Sequence, residues 1–396
     1  MNSPHVDSFG SAPLRMIDGD RGKNYPNGTD FSTDGDCLFL SARNVTKSGF
    51  MFGETSFISA EKDASLRAGK VCRGDVVITT RGTVGNVAYY DNSVPFENVR
   101  INSGMLILRT EESLLDSRYL YQFVRSRSFV AQIESLTSGS AQPQLPVRDL
   151  ANVMIPIPSM SQQRAVAEVL GALDEKIAAN TKLVELADEL AASLTRFAVD
   201  TTGSVALSEI ADIVMGSSPS GSSFNETGEG TVFYQGVRDF GVRFPSNRVW
   251  TTAPVRLAMP GDTLLSVRAP VGRVNLATEE TCIGRGVASV RSTHQQPFTV
   301  FHLLKDSHDA WASFEAEGTV FGSINKGQLA SLQVPRLRPE HQILLETRLA
   351  PFEHTIASAL SENSNLAATR DALLPQLMSG KLPVKDAEKA LENAGV

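Results

Sequence analysis

The side chains best equipped for chemistry here are arginines and short polar groups set among glycines. Arg21, Lys23, Asn24 and Tyr25 follow Asp18-Gly19-Asp20, and Thr80, Arg81, Thr83 and Asn86 surround Gly82 and Gly85. In the second half, Ser217 and Ser218 follow Gly216, Tyr234, Gln235 and Arg238 flank Gly236, and Arg268 and Arg273 bracket Gly272. Guanidinium, amide and hydroxyl groups on such loops can bond to phosphates and, bidentately, to the edges of bases such as guanine. Residues 201–338 hold ten Arg and only two Lys, and Arg is the better residue for forked contacts. The competing use of most of these arginines is surface ion pairing. Gly85 and Gly272 read as tight turns rather than ligand sites.

No catalytic constellation accompanies these groups. The chain lacks GxxxxGK(S/T), HExxH and GxSxG, and Gly228-Glu229-Gly230 lacks the third glycine of GxGxxG. It also lacks the Asn/Asp-Pro-Pro-Tyr/Phe tetrapeptide with which adenine methyltransferases hold a flipped base, and an acidic cluster with Lys at nuclease-like spacing. His5, His294, His302, His308, His341 and His354 are scattered, and Cys37, Cys72 and Cys282 form no CxxC or Cys/His set. The expectation is a chain with no metal, no cofactor and no catalytic site of its own, its thiols reduced.

The elements that must position these loops come in duplicate. Gly74-Asp75-Val76-Val77-Ile78-Thr79-Thr80-Arg81 lines up with Gly261-Asp262-Thr263-Leu264-Leu265-Ser266-Val267-Arg268, with Gly85 and Gly272 four residues beyond each Arg. Gly104-Met105-Leu106-Ile107-Leu108-Arg109 matches Gly286-Val287-Ala288-Ser289-Val290-Arg291, and Gly139-Ser140 matches Gly318-Thr319. Later, an offset of about 179 residues carries Gln163 onto Gln342 and Leu170 onto Leu349. The period is too long for a solenoid and means two copies of one domain-plus-helix unit. Because Arg81 and Arg268 match between copies, loop support and backbone contact compete with base contact for them. Strands are expected at Val76–Thr80, Val99–Leu108, Thr263–Val267 and Val287–Val290, curled into an irregular barrel or sheet, with helices at Ser117–Thr137 and Phe298–Glu317.

Each unit then closes with a long helix. After Ile155-Pro156-Ile157-Pro158 and an N-cap at Ser161, the residues Val166, Leu170, Leu173, Ile177, Asn180, Val184, Ala187, Ala191, Leu194 and Ala198 keep a 4-3 spacing. A helix over Ser161–Val199 would be about 58 Å long at about 1.5 Å per residue. The second seam runs Leu345, Leu349, Phe352, Ile356, Ala359, Asn363, Leu366, Arg370, Leu373 and Leu377, with Pro375 breaking the last turn. Neither apolar stripe can stay in water, so the two helices are expected to pair antiparallel. Asn180 and Asn363 either fix the register of that seam or face solvent beside it.

The fold class that follows is α+β: two homologous β-rich domains separated by two long helices in an antiparallel coiled coil, with pseudo-twofold symmetry. The expected boundaries are 1–158 and 201–338 for the domains, 159–200 and 339–380 for the helices, and 381–396 for a C-terminal tail. Net charge is −7, but the acidic excess lies in 159–200 (4 basic against 7 acidic) and 339–396 (5 against 8), while the domains are near neutral (16 against 17, and 12 against 12). A polar N-terminus and short apolar runs predict a cytoplasmic chain without a membrane span.

This order of motifs resembles the specificity subunits of type I restriction–modification systems. Asp18-Gly19-Asp20-Arg21-Gly22-Lys23-Asn24-Tyr25-Pro26, Thr80-Arg81-Gly82-Thr83-Val84-Gly85-Asn86 and Ile101-Asn102-Ser103-Gly104 are similar to one subclass of target-recognition domain. Gly216-Ser217-Ser218-Pro219 and Tyr234-Gln235-Gly236 are similar to another, and Leu374-Pro375-Gln376-Leu377-Met378-Ser379-Gly380-Lys381-Leu382 resembles the family's C-terminal ending. The second junction, Val334-Pro335-Arg336-Leu337-Arg338-Pro339-Glu340-His341-Gln342, is looser than the family's Pro-rich turn.

The resemblance implies that each domain reads one half of a bipartite site in double-stranded DNA and that the helices set the spacing. It implies two copies of a modification (methyltransferase) subunit, which bind S-adenosylmethionine, and a motor-nuclease restriction subunit as partners. The rival readings are a standalone methyltransferase or nuclease with unrecognised motifs, and a protein-binding coiled-coil scaffold. Methylation or cleavage by the purified chain alone would favour the first, and failure to select any duplex would favour the second.

Overall fold

In the computed structural model the described residues are 5–137, 143–315 and 322–394. The matched pairs Gly139-Ser140 and Gly318-Thr319 lie outside them. The chain divides into two compact units, Met1–Ala178 with Ser364–Val396, and Ala179–Asn363. The divisions fall inside the long helices, so each unit takes part of both.

The first unit contains β1 (Leu14–Asp18), β2 (Cys37–Leu40), β3 (Val76–Thr79), β4 (Val87–Tyr89), β5 (Val99–Ile101) and β6 (Met105–Thr110). One antiparallel sheet has the order β1-β6-β3-β4, and β2 pairs parallel with β5 in a second. Instead of one barrel there are several small sheets. The run expected as a single strand, Val99–Leu108, breaks at Asn102-Ser103-Gly104, where the Met105 amide donates to the Asn102 carbonyl at 3.3 Å. Its two parts enter different sheets.

The central strands are apolar throughout because both faces are covered. Val76, Ile78, Leu106 and Leu108 point to one core with α1 (Ser117–Val124) and α2 (Arg127–Leu136), while Val77, Met105 and Ile107 point to another with Leu38 and Leu40. The helix expected over 117–137 is two, because Ser126 caps the second by accepting from the Phe129 amide. The long helix α3 (Met160–Ala198) follows. Its cap is Ser159, not Ser161: the Ser159 hydroxyl accepts from the Gln162 amide and the Gln162 side chain reaches back to the Ser159 amide at 3.2 Å.

The second unit repeats this plan with β7 (Ala211–Met215), β8 (Thr231–Tyr234), β9 (Thr263–Ser266), β10 (Val274–Leu276), β11 (Thr281–Ile283) and β12 (Val287–Ser292). Its antiparallel sheet has the order β7-β12-β9-β10, and β8 pairs parallel with β11. Two helices again cover it, α4 (Pro297–Lys305) and α5 (His308–Glu315), before α6 (Leu344–Met378) and α7 (Val384–Ala394). Pro375 does not end α6, which continues to Met378. The segment expected as a tail includes α7, whose Ala387 is buried with Leu377 and Met378. No described helix is long and apolar enough to cross a membrane.

The two halves share a brace as well as a strand order. Arg109 donates to both oxygens of buried Asp75 at 2.8 and 2.6 Å, and Arg291 donates to both oxygens of buried Asp262 at 2.7 and 2.8 Å. Gly74 and Gly261, just before these aspartates, both have positive φ (91° and 87°). At Gly85 and Gly272 (88° and 87°) an added Cβ would collide with Ile133 and Trp311 respectively. The matched glycines therefore seat a loop against a helix in each half.

Within each unit the long helices pack along the expected seam. In the first, Leu170 and Leu173 are buried with Leu366, Leu373, Leu374 and Leu377, and Ile177 packs on the same cluster. In the second, Val184 and Ala187 meet Ile356 and Ala359, while Ala191 and Ala198 meet Leu345 and Leu349, with Leu194 and Phe352 alongside. Residue numbers fall along one helix as they rise along the other, so these segments run antiparallel. Asn180 is buried and donates to Glu362 at 2.7 Å, and the Asn363 amide donates to the Thr181 hydroxyl at 3.3 Å. Both are seam residues rather than solvated ones.

A polar anchor also recurs. In the first unit Gln122 (2.9 Å), Arg125 and Arg370 (2.9 Å) hold Asp174. Burial alone would raise the Asp174 pKa, but these donors outweigh it and hold the carboxyl below its ordinary value. In the second unit His302 Nε2 lies 2.7 Å from Glu353 Oε1, and Lys305 and Arg243 pair with Asp188.

Candidate nucleic-acid interface

In the first unit three loops converge. Gly19 lies so close to the Asn102 carbonyl that no side chain fits there. Arg21 reaches across to donate to the Ser103 carbonyl at 3.2 Å and pairs with Asp18 at 3.0 Å. The Thr80 amide donates to the Gly104 carbonyl at 2.8 Å, and the Leu145 amide donates to the Thr80 carbonyl at 2.9 Å.

The organiser of the first loop is Asp20, which the sequence reading passed over. Its carboxylate accepts from the Gly22 and Arg67 amides, both at 2.6 Å, and these bonds hold its pKa below the ordinary value. An Asp two residues before a Gly is a turn signal that would have found it.

The expected contact residues of this unit separate into two kinds. Arg21, Lys23, Arg81 and Thr83 are exposed. Thr80 is only 4% exposed, and its hydroxyl donates to the Gly104 carbonyl at 3.0 Å. Asn24 donates to the Ser65 carbonyl and Asn86 to the Val45 carbonyl, each at 3.0 Å. Tyr25 stacks edge-on against Phe39. These four shape the loops from beneath, so Thr80 in particular is corrected from contact residue to support.

The second unit shows the same convergence. Gly216 abuts the Gly284 carbonyl as Gly19 abuts Asn102. The Ser217 amide donates to the Ile283 carbonyl at 2.9 Å, and the Ser218 hydroxyl accepts from the Arg285 amide at 3.4 Å. Gln235 and Arg238 are exposed, their loop tied down by buried Asp239, which accepts from the Gln235 amide at 2.7 Å. Tyr234 is corrected too: it is 2% exposed, donates to Asn247 at 2.5 Å, and burial pushes its pKa up.

Arg268 is exposed while its backbone forms a β-bridge to Ser323, as the backbone of Arg81 does to Gln144. The main chain at both positions buttresses the loop, and among the described residues neither guanidinium has an ion pair or hydrogen bond. Arg273 is exposed and lines, with Phe240, Val242, Lys305 and Trp311, a cavity of about 730 Å³. Arg256 and Arg285 are two further exposed arginines that the sequence reading did not single out. Each unit thus presents uncommitted guanidinium and hydroxyl groups on loops fixed by backbone bonds, an arrangement suited to hydrogen-bonding a polyanion and its base edges.

The family model for the type I restriction modification DNA specificity domain matches residues 21–187. Among curated relatives, a putative type I restriction enzyme MjaX specificity subunit from Methanocaldococcus jannaschii is 26% identical over 370 residues, covering 86% of this chain and 84% of the relative. The MjaVIII specificity subunit of the same organism is 21% identical over 326 residues, 72% of this chain and 75% of its own. Among solved structures, a type I restriction–modification system S subunit from M. genitalium shares the fold with a TM-score of 0.61 at 15% identity, over 95% of this chain and 96% of that one. Over most of its length the chain is therefore similar to specificity subunits of type I restriction–modification systems, and residues 21–187 match the DNA specificity domain of those systems.

Proposed function

We propose that this chain reads a bipartite double-stranded DNA site, one half through the loops of each unit, and directs associated methyltransferase and restriction subunits to it. The observation that carries this reading is the doubled loop cluster: exposed arginines on glycine-tight loops, each cluster set on the same Asp–Arg-braced sheet. The domains correspond to 1–158 and 201–338, and the antiparallel helices between them act as the ruler for the distance between half-sites. S-adenosylmethionine belongs to the modification subunit, and the DNA is met in the cytoplasm.

Two copies of the modification subunit would grip the helices. On α3, Leu183, Leu186, Leu190 and Phe197 are all exposed at spacings that share one helical side, away from the buried seam. That stripe supports a helical docking face for such a partner. The acidic character of the helices fits the same division of labour, with partners neutralising much of the phosphate charge.

The test is co-expression with the modification and restriction subunits, followed by mapping of methylated adenines across the host genome. A single split motif is expected, and its absence, together with no selection from random duplexes, sinks the reading. On the motif so found, Arg21→Ala should weaken specific binding by about 1–3 kcal/mol if its guanidinium forks onto guanine. Competition titrations against a scrambled duplex measure this directly.

A further inference from the structure

The geometry points to Arg285 as the residue through which the second unit reads a guanine, with Arg21 filling the same place in the first unit from a different loop. The inference rests on the reading of the chain as a DNA-sequence reader and deepens it. Arg285 sits in the turn between β11 and β12, closed by the Val287 amide donating to the Gly284 carbonyl at 2.9 Å.

Almost every backbone group of that turn is tied to another loop. The Gly284 amide donates to the Tyr234 carbonyl at 2.8 Å, the Gly286 amide to the Gln235 carbonyl at 3.2 Å, and the Gly286 carbonyl accepts from the Val267 amide at 3.0 Å. The Arg285 amide itself donates to the Ser218 hydroxyl. A side chain at Gly286 would run into the Gln235 carbonyl, and one at Gly216 into the Gly284 carbonyl. The turn is therefore locked at the meeting point of three loops. Its one long side chain is exposed and, among the described residues, has no ion pair or side-chain hydrogen bond.

The first unit supplies the second, independent observation. Its equivalent turn, Asn102 to Met105, joins β5 to β6 and is held by the Thr80 amide as Val267 holds Gly286. By the repeat, Ser103 stands where Arg285 stands. Ser103 has no charge to offer, but Arg21 donates to its carbonyl at 3.2 Å, so a guanidinium lies over that turn too. Both halves place the same chemical group at the same structural point by unrelated sequence routes. A forked donor on an immobile turn loses little backbone freedom on binding and matches the O6 and N7 acceptors of guanine.

The experiment uses the full chain in complex with its modification subunit. The wild-type motif is mapped first, and then Arg285→Ala and Arg285→Lys are titrated against the cognate duplex and all its single-base variants. Arg285→Ala should lower cognate affinity roughly 5- to 150-fold and flatten preference at one G·C pair of one half-site, leaving the other half-site as selective as before. Arg285→Lys should recover charge but only part of the discrimination.

A uniform loss on every duplex with a reduced salt slope would make Arg285 a phosphate contact and overturn the proposal, as would unchanged selectivity. If the wild-type complex selects no sequence at all, the failure lies with the reading of the chain as a DNA reader. Unchanged melting of Arg285→Ala is expected, since the side chain touches nothing that holds the turn.

Discussion

Asp262→Ala should destabilise the second unit by about 1–3 kcal/mol, the cost of leaving its buried donors unpaired. The carboxylate is buried and accepts from Arg291 twice, from the Ser289 hydroxyl at 2.6 Å and from the Met259 amide at 2.8 Å. Removing it strands the buried Ser289 hydroxyl, while the half-exposed Arg291 turns to water, close to the loops that carry Arg268 and Arg273. Hydrogen exchange should show amides of β9 and β12 losing protection while those of β3 and β6 keep theirs. Asp75→Ala should produce the mirror pattern, and equal protection in both mutants would refute the brace.

The same pair has a pH signature. Burial pushes the Asp262 pKa up, yet the bonds from Arg291, Met259 and Ser289 prevail and hold it below the usual carboxylate value. A group with a depressed folded-state pKa stabilises fully above its unfolded value near 4 and loses that contribution as pH falls through the folded value. Urea midpoints should therefore decline more steeply toward acid in the wild type than in Asp262→Asn, which carries no charge to lose.

The helical seam provides the second large effect. Ile356 and Leu173 are each 0% exposed, one in each unit, and truncation to Ala should cost about 2–5 kcal/mol through lost burial and the cavity left behind. Leu183→Ala and Leu190→Ala, on the exposed side of α3, should leave stability within about 0.5 kcal/mol. Thermal melts of the purified chain separate the two sets. Comparable losses at exposed and buried positions would mean that the seam has been misplaced.

How much of this was legible in the sequence follows from what each residue's neighbours are. The long helices announced themselves because Leu170, Leu173, Ile356 and Leu373 keep a spacing that depends only on their own helix. Their ends were less legible. Ser159 rather than Ser161 caps α3 because its partner Gln162 stands three residues on, and Pro375 sits where the surrounding helix absorbs the loss of one hydrogen bond. The matched Gly-Asp and Arg positions were visible as a repeat. That Asp75 meets Arg109 and Asp262 meets Arg291 was not, since the partners come from different strands.

The site was harder to read than the scaffold. Thr80 and Tyr234 look like surface polar residues in sequence but face inward, their hydroxyls used by Gly104 and Asn247. Arg285 went unnoticed because it lies one residue outside the matched block. Its turn is held by backbone bonds to Tyr234 and Gln235, some fifty residues earlier in the chain, and to Val267.

That the Asp–Arg braces and the exposed loop arginines are different residues carries an evolutionary consequence. Among the described residues, Arg21, Arg81, Arg268 and Arg285 have no buried side-chain partner, so substitutions there should spare the fold and, on the proposed reading, change only what the loops recognise. On that reading, a lineage under pressure to change its target would be free to vary a few crest positions while the foundations stay put.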